Sequence, residues 1–283
     1  MRRFALITGG SKGFGAHLVR RFWLEGYSLG VVARQLTDLQ SVLADLPERT
    51  DQTATPLVCD LADSTKVDTL LDYINTTIPR LDVLVNNAAI QGPIGVLSEN
   101  DLSDWQQTLQ INLIAPVALC RGLIPLMKRS GGASIINLSG GGATGPRANF
   151  SAYATAKAGL VRFSETIAVE LKTEGIRVNC IAPGAMKTSM LKEVLERGDA
   201  AGTRETTLAK DVFANGGASM DRVADLALFL ASDESKEISG KLISAVWDNW
   251  EQWPRHLDEL SQSDVYTLRR ISGRDRGFDW GDK

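Results

Sequence analysis

Cysteine and histidine are scarce, neither charge sign dominates, and no apolar run is long. The chain has 283 residues with three cysteines and two histidines. Cys59, Cys120 and Cys180 are odd in number and lie in apolar stretches, which excludes a disulfide framework and reads as reduced core thiols. His17 and His256 are too few and too far apart in sequence to suggest a metal site, so no metal is expected. A formal net charge of −3 gives no reason to expect nucleic acid or an anionic membrane as a partner. The apolar run after Met1, Arg2 and Arg3 stops at Thr8-Gly9-Gly10, too soon for an export signal. No run looks long enough to span a bilayer, and a cytoplasmic location is the expectation. Internal repeats, low-complexity runs and linkers are also missing.

What remains is ordinary and sufficient. A composition 43% hydrophobic and 23% charged is that of a globular protein with a sizeable core. Residues 1–250 read as one domain, and 251–283 as a C-terminal extension packed on it or on a neighbouring subunit.

Short apolar runs with β character alternate with helical patterns. Residues 4–7 form the first run, followed by Gly9, Gly10, Ser11, Lys12, Gly13, Phe14 and Gly15 and then a helical pattern closed by Gly26. Strand, glycine turn and helix N-terminus make an anion site, because free backbone N–H groups and the positive helix end face a phosphate. A second strand at 28–33 ends in Arg34. An acid after such a strand accepts a ribose 2′-hydroxyl, whereas a basic residue accommodates a 2′-phosphate. Arg34 and Lys12 therefore favour NADPH over NADH. Further strands at 55–59, 81–85, 134–138, 177–181 and 241–246 each end in small, polar or turn residues, and a long helical stretch interrupted by Pro116 and Pro125 spans 102–127. This alternation implies parallel βαβ units, with ligands bound at the carboxyl ends of the strands.

Tyr153 and Lys157 are four residues apart in a helical stretch that Asn149 or Ser151 can cap, so their side chains share one face. A nearby ammonium pulls a phenol pKa down from about 10, which makes the phenol a usable acid and base. The same spacing also occurs on solvated helix faces. Residues 186–217 read as one or two short helices, either a mobile lid or a solvated insertion. A further helix at 221–231 is expected to be capped by Asp221. The tail carries Trp247, Trp250, Trp253 and Trp280, too much apolar area for disorder.

From about residue 3 to 246 the chain resembles the short-chain dehydrogenase/reductase family, in its shorter single-domain branch. The resemblance rests on Thr8-Gly9-x-x-x-Gly13-x-Gly15, Asn86-Asn87-Ala88-Ala89, Tyr153-x-x-x-Lys157 and Pro183-Gly184. It implies a doubly wound Rossmann-type α/β fold, a parallel sheet of about seven strands with helices on both faces. It also implies NADP(H), with NAD(H) the lesser candidate. Tyr153 would exchange a proton with a carbonyl or alcohol substrate, Lys157 would hold the nicotinamide ribose, and Asn112 would support a proton-carrying water. Gly9, Ser11, Lys12, Gly13, Phe14, Gly15, Arg34, Asp60, Leu61, Asn87, Ala88, Pro183 and Gly184 would line the cofactor site. A homodimer or homotetramer is expected through the helices at 102–127 and 150–173.

Two departures stand out. Gly140 occupies the position of the family's catalytic Ser, so either Ser139 takes over or the site works without that hydroxyl. The tail runs past the usual end of the family, and either covers a substrate cleft, bringing Arg269 and Arg270 towards an anionic substrate, or seals apolar surface. The expected activity is reduction of a ketone or aldehyde, or oxidation of the matching alcohol. Ser139, Thr144, Arg147, Asn149 and Thr188 suggest a hydroxylated or anionic substrate. A cofactor-retaining epimerase or dehydratase, and a regulatory or structural nucleotide binder, are the alternatives.

Overall fold

The computed structural model describes residues 2–280, so Met1 and 281–283 of the two expected segments lie outside the described residues. The chain runs β1 (Phe4–Thr8), α1 (Gly13–Leu24), β2 (Ser28–Ala33), α2 (Leu36–Ala44), β3 (Ala54–Val58), α3 (Ser64–Thr77) and β4 (Val83–Asn86). It continues through α4 (Leu102–Leu109), a π turn (Gln110–Ile114), α5 (Ala115–Arg129), β5 (Ala133–Leu138), α6 (Ser151–Glu170) and β6 (Ile176–Ala182). Then come α7 (Ser189–Arg197), α8 (Thr203–Asn215), α9 (Met220–Ala231), β7 (Leu242–Ser244) and α10 (Leu257–Gln262). Seven parallel strands form one sheet in the order β3-β2-β1-β4-β5-β6-β7. This is the doubly wound α/β architecture.

Period-two alternation within buried strands builds the two faces. Ala5 and Ile7 of β1 join Phe22, Val31, Val85, Ile136 and Ile243 on one side of the sheet, whereas Leu6 joins Leu84, Leu119, Leu123, Ile135 and Val178 on the other. Every residue of β1, β4 and β5 is buried, as expected of parallel strands covered on both faces. The strand order reverses between β1 and β4, which opens a crevice above their carboxyl ends.

Three local expectations change. The helix from Leu102 to Arg129 is continuous, and its irregularity is the π turn at 110–114. Pro116 has no N–H to offer the Asn112 carbonyl and crowds it, so the widened turn just upstream relieves the conflict. By length and composition this helix could cross a membrane, contrary to expectation. Here it buries Leu119, Cys120, Leu123, Leu126 and Met127 in the core that α3 and α6 share. Neither Asn149 nor Ser151 caps α6. Asn149 takes a left-handed φ of 67°, and the Ser151 hydroxyl accepts from Trp105 Nε1 at 3.1 Å. Ser219, not Asp221, caps α9 by accepting from the Arg222 N–H at 3.3 Å. Asp221 is drawn away instead, 3.0 Å from Arg21 and from His17.

Part of the tail seals apolar surface, while Trp247 and Trp280 stay exposed. Trp250, Trp253 and Leu260 belong to the same buried cluster as α9 and β7, with Trp250 tilted on Phe229 and Trp253 on Tyr266. The Leu242 N–H donates to the Tyr266 carbonyl at 2.8 Å, so the tail satisfies part of the open β7 edge. Arg269 is paired with Asp264 and Asp275, in a pocket separate from the crevice. Within this chain two carboxylates of the tail itself hold Arg269 away from the crevice, so its expected reach to substrate is not seen towards this chain's own cleft.

Candidate active site

The crevice at the carboxyl ends of the strands is a cleft of about 370 Å³. At one end the glycine loop is shaped by contact. Gly15 lies so close to the turn that follows β1 that a Cβ there would stand 2.0 Å from the Gly9 carbonyl oxygen and 2.6 Å from Asn87 Nδ2. Asn87 fastens the loop, donating from Nδ2 to the Thr8 carbonyl at 2.9 Å, while its own N–H donates to Thr8 Oγ1 at 3.0 Å. No side chain caps α1, so its first N–H groups remain oriented towards the cleft end, the arrangement that receives a phosphate. The tight backbone approach and the helix end fit the pyrophosphate of a dinucleotide.

Beyond the loop a second hollow is lined by Ser11, Lys12, Arg34, Asp38, Asp60 and Lys66. Three cations gather there, which suits an additional phosphate. Lys12 already pairs with Asp38 at 2.8 Å, and Lys66 lies 3.7 Å from Asp63. Asp60 turns the chain by accepting from the Ala62 N–H at 3.0 Å, and Leu61 is buried beside it.

At the other end of the cleft, α6 presents Tyr153 and Lys157, both buried. Lys157 Nζ donates to the Leu138 carbonyl at 2.7 Å, at the end of β5. Burial holds the Lys157 ammonium down, to about 8. Burial also pushes the Tyr153 phenol above its ordinary value, while the Arg147 guanidinium pulls it back. The expected lowering of the phenol by Lys157 is thus not found. Lys157 stands 5.6 Å from the ring centre and donates to the Leu138 carbonyl, and the influences on the phenol are burial and the Arg147 guanidinium.

Gly140 explains its own departure from the family pattern. A Cβ there would lie 2.4 Å from the Tyr153 hydroxyl, so any side chain at this position displaces the phenol. Ser139, one residue earlier, is buried in the cleft wall, and its hydroxyl has no protein hydrogen-bond partner. An orphaned buried hydroxyl in the wall of the cleft that the phenol also lines suits a ligand oxygen.

Of the residues expected from sequence, Gly9, Ser11, Lys12, Gly13, Phe14, Gly15, Arg34, Asp60, Leu61, Asn87, Ser139, Tyr153, Lys157 and Pro183 line this cleft. Ala88 and Gly184 do not: Ala89 and Ile90 form that part of the wall, and Gly184 packs towards Val246. Asn112 lies behind the wall, its amide clamped to Ile90 by Nδ2 donating to the carbonyl at 2.8 Å and Oδ1 accepting from the N–H at 2.9 Å. Its side chain is thereby committed to backbone. Sequence reasoning missed Ile90, Ile111, Met186, Ser189, Met190 and Glu193, which complete the wall. No motif marks them: Ile90 follows β4, Ile111 lies in the π turn, and the other four come from the stretch after β6. The stretch after β6 forms α7, a short 3-10 turn and α8, and its Val194, Ala201 and Ala209 pack on Phe150 and Tyr153.

The model of the short chain dehydrogenase family matches residues 3–199. The chain belongs to the short-chain dehydrogenase/reductase family, oxidoreductases that bind a nicotinamide cofactor. It is 34% identical over 241 residues to 3beta-hydroxysteroid dehydrogenase 1 of Eggerthella lenta, covering 83% of this chain and 88% of that protein. Its fold is similar to YwfH, an NADPH-dependent reductase involved in bacilysin biosynthesis, with TM-score 0.77, 27% identity, and coverage of 87% and 97%. The L-sorbose reductase of Gluconobacter frateurii, solved with NADPH and L-sorbose, is also similar, with TM-score 0.76, 30% identity, and coverage of 86% and 94%.

Proposed function

We propose that this protein is an NADP(H)-dependent reductase of a neutral, hydroxylated ketone or aldehyde, or the dehydrogenase of the matching alcohol. One observation carries the reading: the buried Tyr153 phenol and the orphaned Ser139 hydroxyl share a cleft with a glycine loop built for a dinucleotide. A nicotinamide cofactor supplies or accepts the hydride. Tyr153 donates its proton to the substrate oxygen on reduction and recovers it on oxidation. Burial keeps the phenol protonated in the free protein but makes it a weaker acid, and the Arg147 guanidinium works against that rise. Ser139 donates a second hydrogen bond to the same oxygen. Lys157, anchored on Leu138, offers its remaining protons to ribose hydroxyls, and the π turn at Asn112 supports a water that resupplies the phenol.

Arg34, Lys12 and Lys66 support a 2′-phosphate and hence NADP(H), and both solved reductases named above are tied to NADPH by their descriptions. Asp38 argues for the second reading, NAD(H), since it already neutralises Lys12. The substrate end carries Ser139, Thr188, Ser189 and Glu193 among apolar Met186, Met190 and Ile111. Arg147 is neutralised by Glu205 and so offers no unpaired charge to an anionic substrate, which favours a neutral polyol-like carbonyl. Similarity to an L-sorbose reductase supports this class. Exposed Leu102, Ile114 and Val169 on α4–α6 support association of two copies there, which sedimentation would detect.

The deciding experiment is a fluorescence titration with NADPH and NADH, followed by cofactor consumption with neutral ketoses and with keto acids. Tighter NADPH binding and turnover of ketoses support the reading. Preference for NADH transfers the assignment to NAD(H), and binding without turnover of any carbonyl defeats the oxidoreductase function.

A further inference from the structure

The loop between β5 and α6, residues 139–150, carries an arginine whose charge is hidden. Arg147 Nε and Nη2 both donate to Glu205 Oε2, at 3.0 and 2.7 Å. The Arg147 and Glu205 side chains are only 13% and 14% exposed, and no other ion pair among the described residues has both partners so shielded. Glu205 belongs to α8, in the segment that forms one wall of the cleft; Arg147 belongs to the loop leading into Tyr153. The pair therefore bridges segments 58 residues apart.

The guanidinium also stacks. It lies 3.8 Å from the centre of the Phe150 ring and 5.4 Å from that of Tyr153. Phe150 and Tyr153 are in turn the floor on which Val194, Ala201 and Ala209 of the α7–α8 segment pack. That segment is closed at its base, where the Ala218 N–H donates to the Ala185 carbonyl at 2.8 Å. It is thus a flap with a small apolar underside and one buried charge contact on its loop.

Stability alone does not account for such a pair. Desolvating two charges roughly cancels their attraction, and apolar side chains of similar size hold an interface as well or better. What a two-pronged pair supplies is register: it fixes one relative placement of loop and helix.

We propose that Arg147 and Glu205 are positioning residues, whose buried ion pair latches the α7–α8 flap to the loop that carries Tyr153, so that closing the flap and placing the phenol are one event. The inference rests on the oxidoreductase reading for the purpose of the phenol, not for the existence of the latch. The charged and titratable groups around the phenol are Lys157 on its own helix, Arg147 from the loop, Glu205 of α8 behind Arg147, and Glu193 of α7 in the cleft wall. Of these, Arg147 pulls the phenol pKa downward against the effect of burial.

The test needs no substrate. Amide hydrogen exchange across 186–217 would be compared in the full-length wild type, Glu205→Gln, Arg147→Met and the double variant. The phenol would be titrated by ultraviolet difference absorbance against Tyr153→Phe. The latch predicts exchange about tenfold faster across the flap in each single variant, with little added in the double variant. It also predicts that the phenol titrates at higher pH in Arg147→Met, a shift that loss of structure elsewhere does not produce. Unchanged exchange in both single variants, or an unmoved phenol in Arg147→Met, overturns it. If Arg147→Met fails to fold, Glu205→Gln keeps the side-chain shape and decides by exchange alone. Failure of all carbonyls to consume NADPH would defeat the proposed function while leaving these measurements to judge the latch.

Discussion

The two ends of the cleft are built from different materials. The phosphate end is backbone: a glycine loop pressed on the turn that follows β1, an uncapped helix start, and Asn87 stitching the two together. The catalytic end is side chains gathered from β5, the 139–150 loop, α6 and the α7–α8 flap, each in a desolvated setting. Backbone geometry tolerates almost no substitution where it turns tightly, so it is written as a motif. Side-chain constellations can be re-sited by one position, and the proposed role of Ser139 beside Gly140 would be such a case. The lesson is that cofactor binding and catalysis in this protein should fail separately.

The largest expected effect breaks only the catalytic end. Tyr153→Phe removes the proton donor and should lower single-turnover hydride transfer by about a thousandfold, with NADPH affinity little changed in a fluorescence titration. Loss of binding in parallel would mean the two ends are not separable. Gly15→Val attacks the other end, where even a Cβ would meet the Gly9 carbonyl at 2.0 Å. The overpacked loop should cost about 1–3 kcal/mol in urea unfolding and abolish cofactor binding, while Tyr153 still titrates as in the wild type.

Ser139→Ala sharpens the comparison within the catalytic end. Turnover should drop by about a hundredfold, with cofactor binding retained, because one donor to the substrate oxygen is lost. Unchanged turnover would remove Ser139 from the mechanism. Arg34→Ala is a smaller change, about tenfold in NADPH affinity with NADH unaffected, measured by the same titration. A mutant that loses both nucleotides equally would show that Arg34 does not read the phosphate.

A pH dependence of stability separates the two ends in another way. Lys157 titrates at about 8 when folded, against 10.5 in the unfolded chain. Between those values the unfolded chain binds the proton and the native one does not, so this group makes stability rise with pH across that window. Below it the burial cost is felt in full. Lys157→Met should flatten that rise, as urea unfolding at pH 7.5 to 10.5 would reveal.

Much of this was legible in the sequence. The seven strands and the glycine loop follow from period and turn chemistry, since apolar runs of that length ending in glycine and asparagine suit little but buried parallel strands. Tyr153 and Lys157 were readable because four residues on a helix is a fixed distance. Less visible was anything that depended on what packs against what. Caps moved from Asp221 to Ser219 and away from Asn149, because tertiary partners claimed the expected side chains.

The sequence by itself determined the winding of the sheet, the phosphate cradle and the Tyr–Lys spacing, since all three are local consequences of backbone period and glycine geometry. Only the tertiary structure decided that Tyr153 and Lys157 are both buried, that Gly140 makes room for the phenol, and that Glu205 neutralises Arg147. Those outcomes depend on desolvation and on contacts between residues far apart in the chain, for which no local pattern exists.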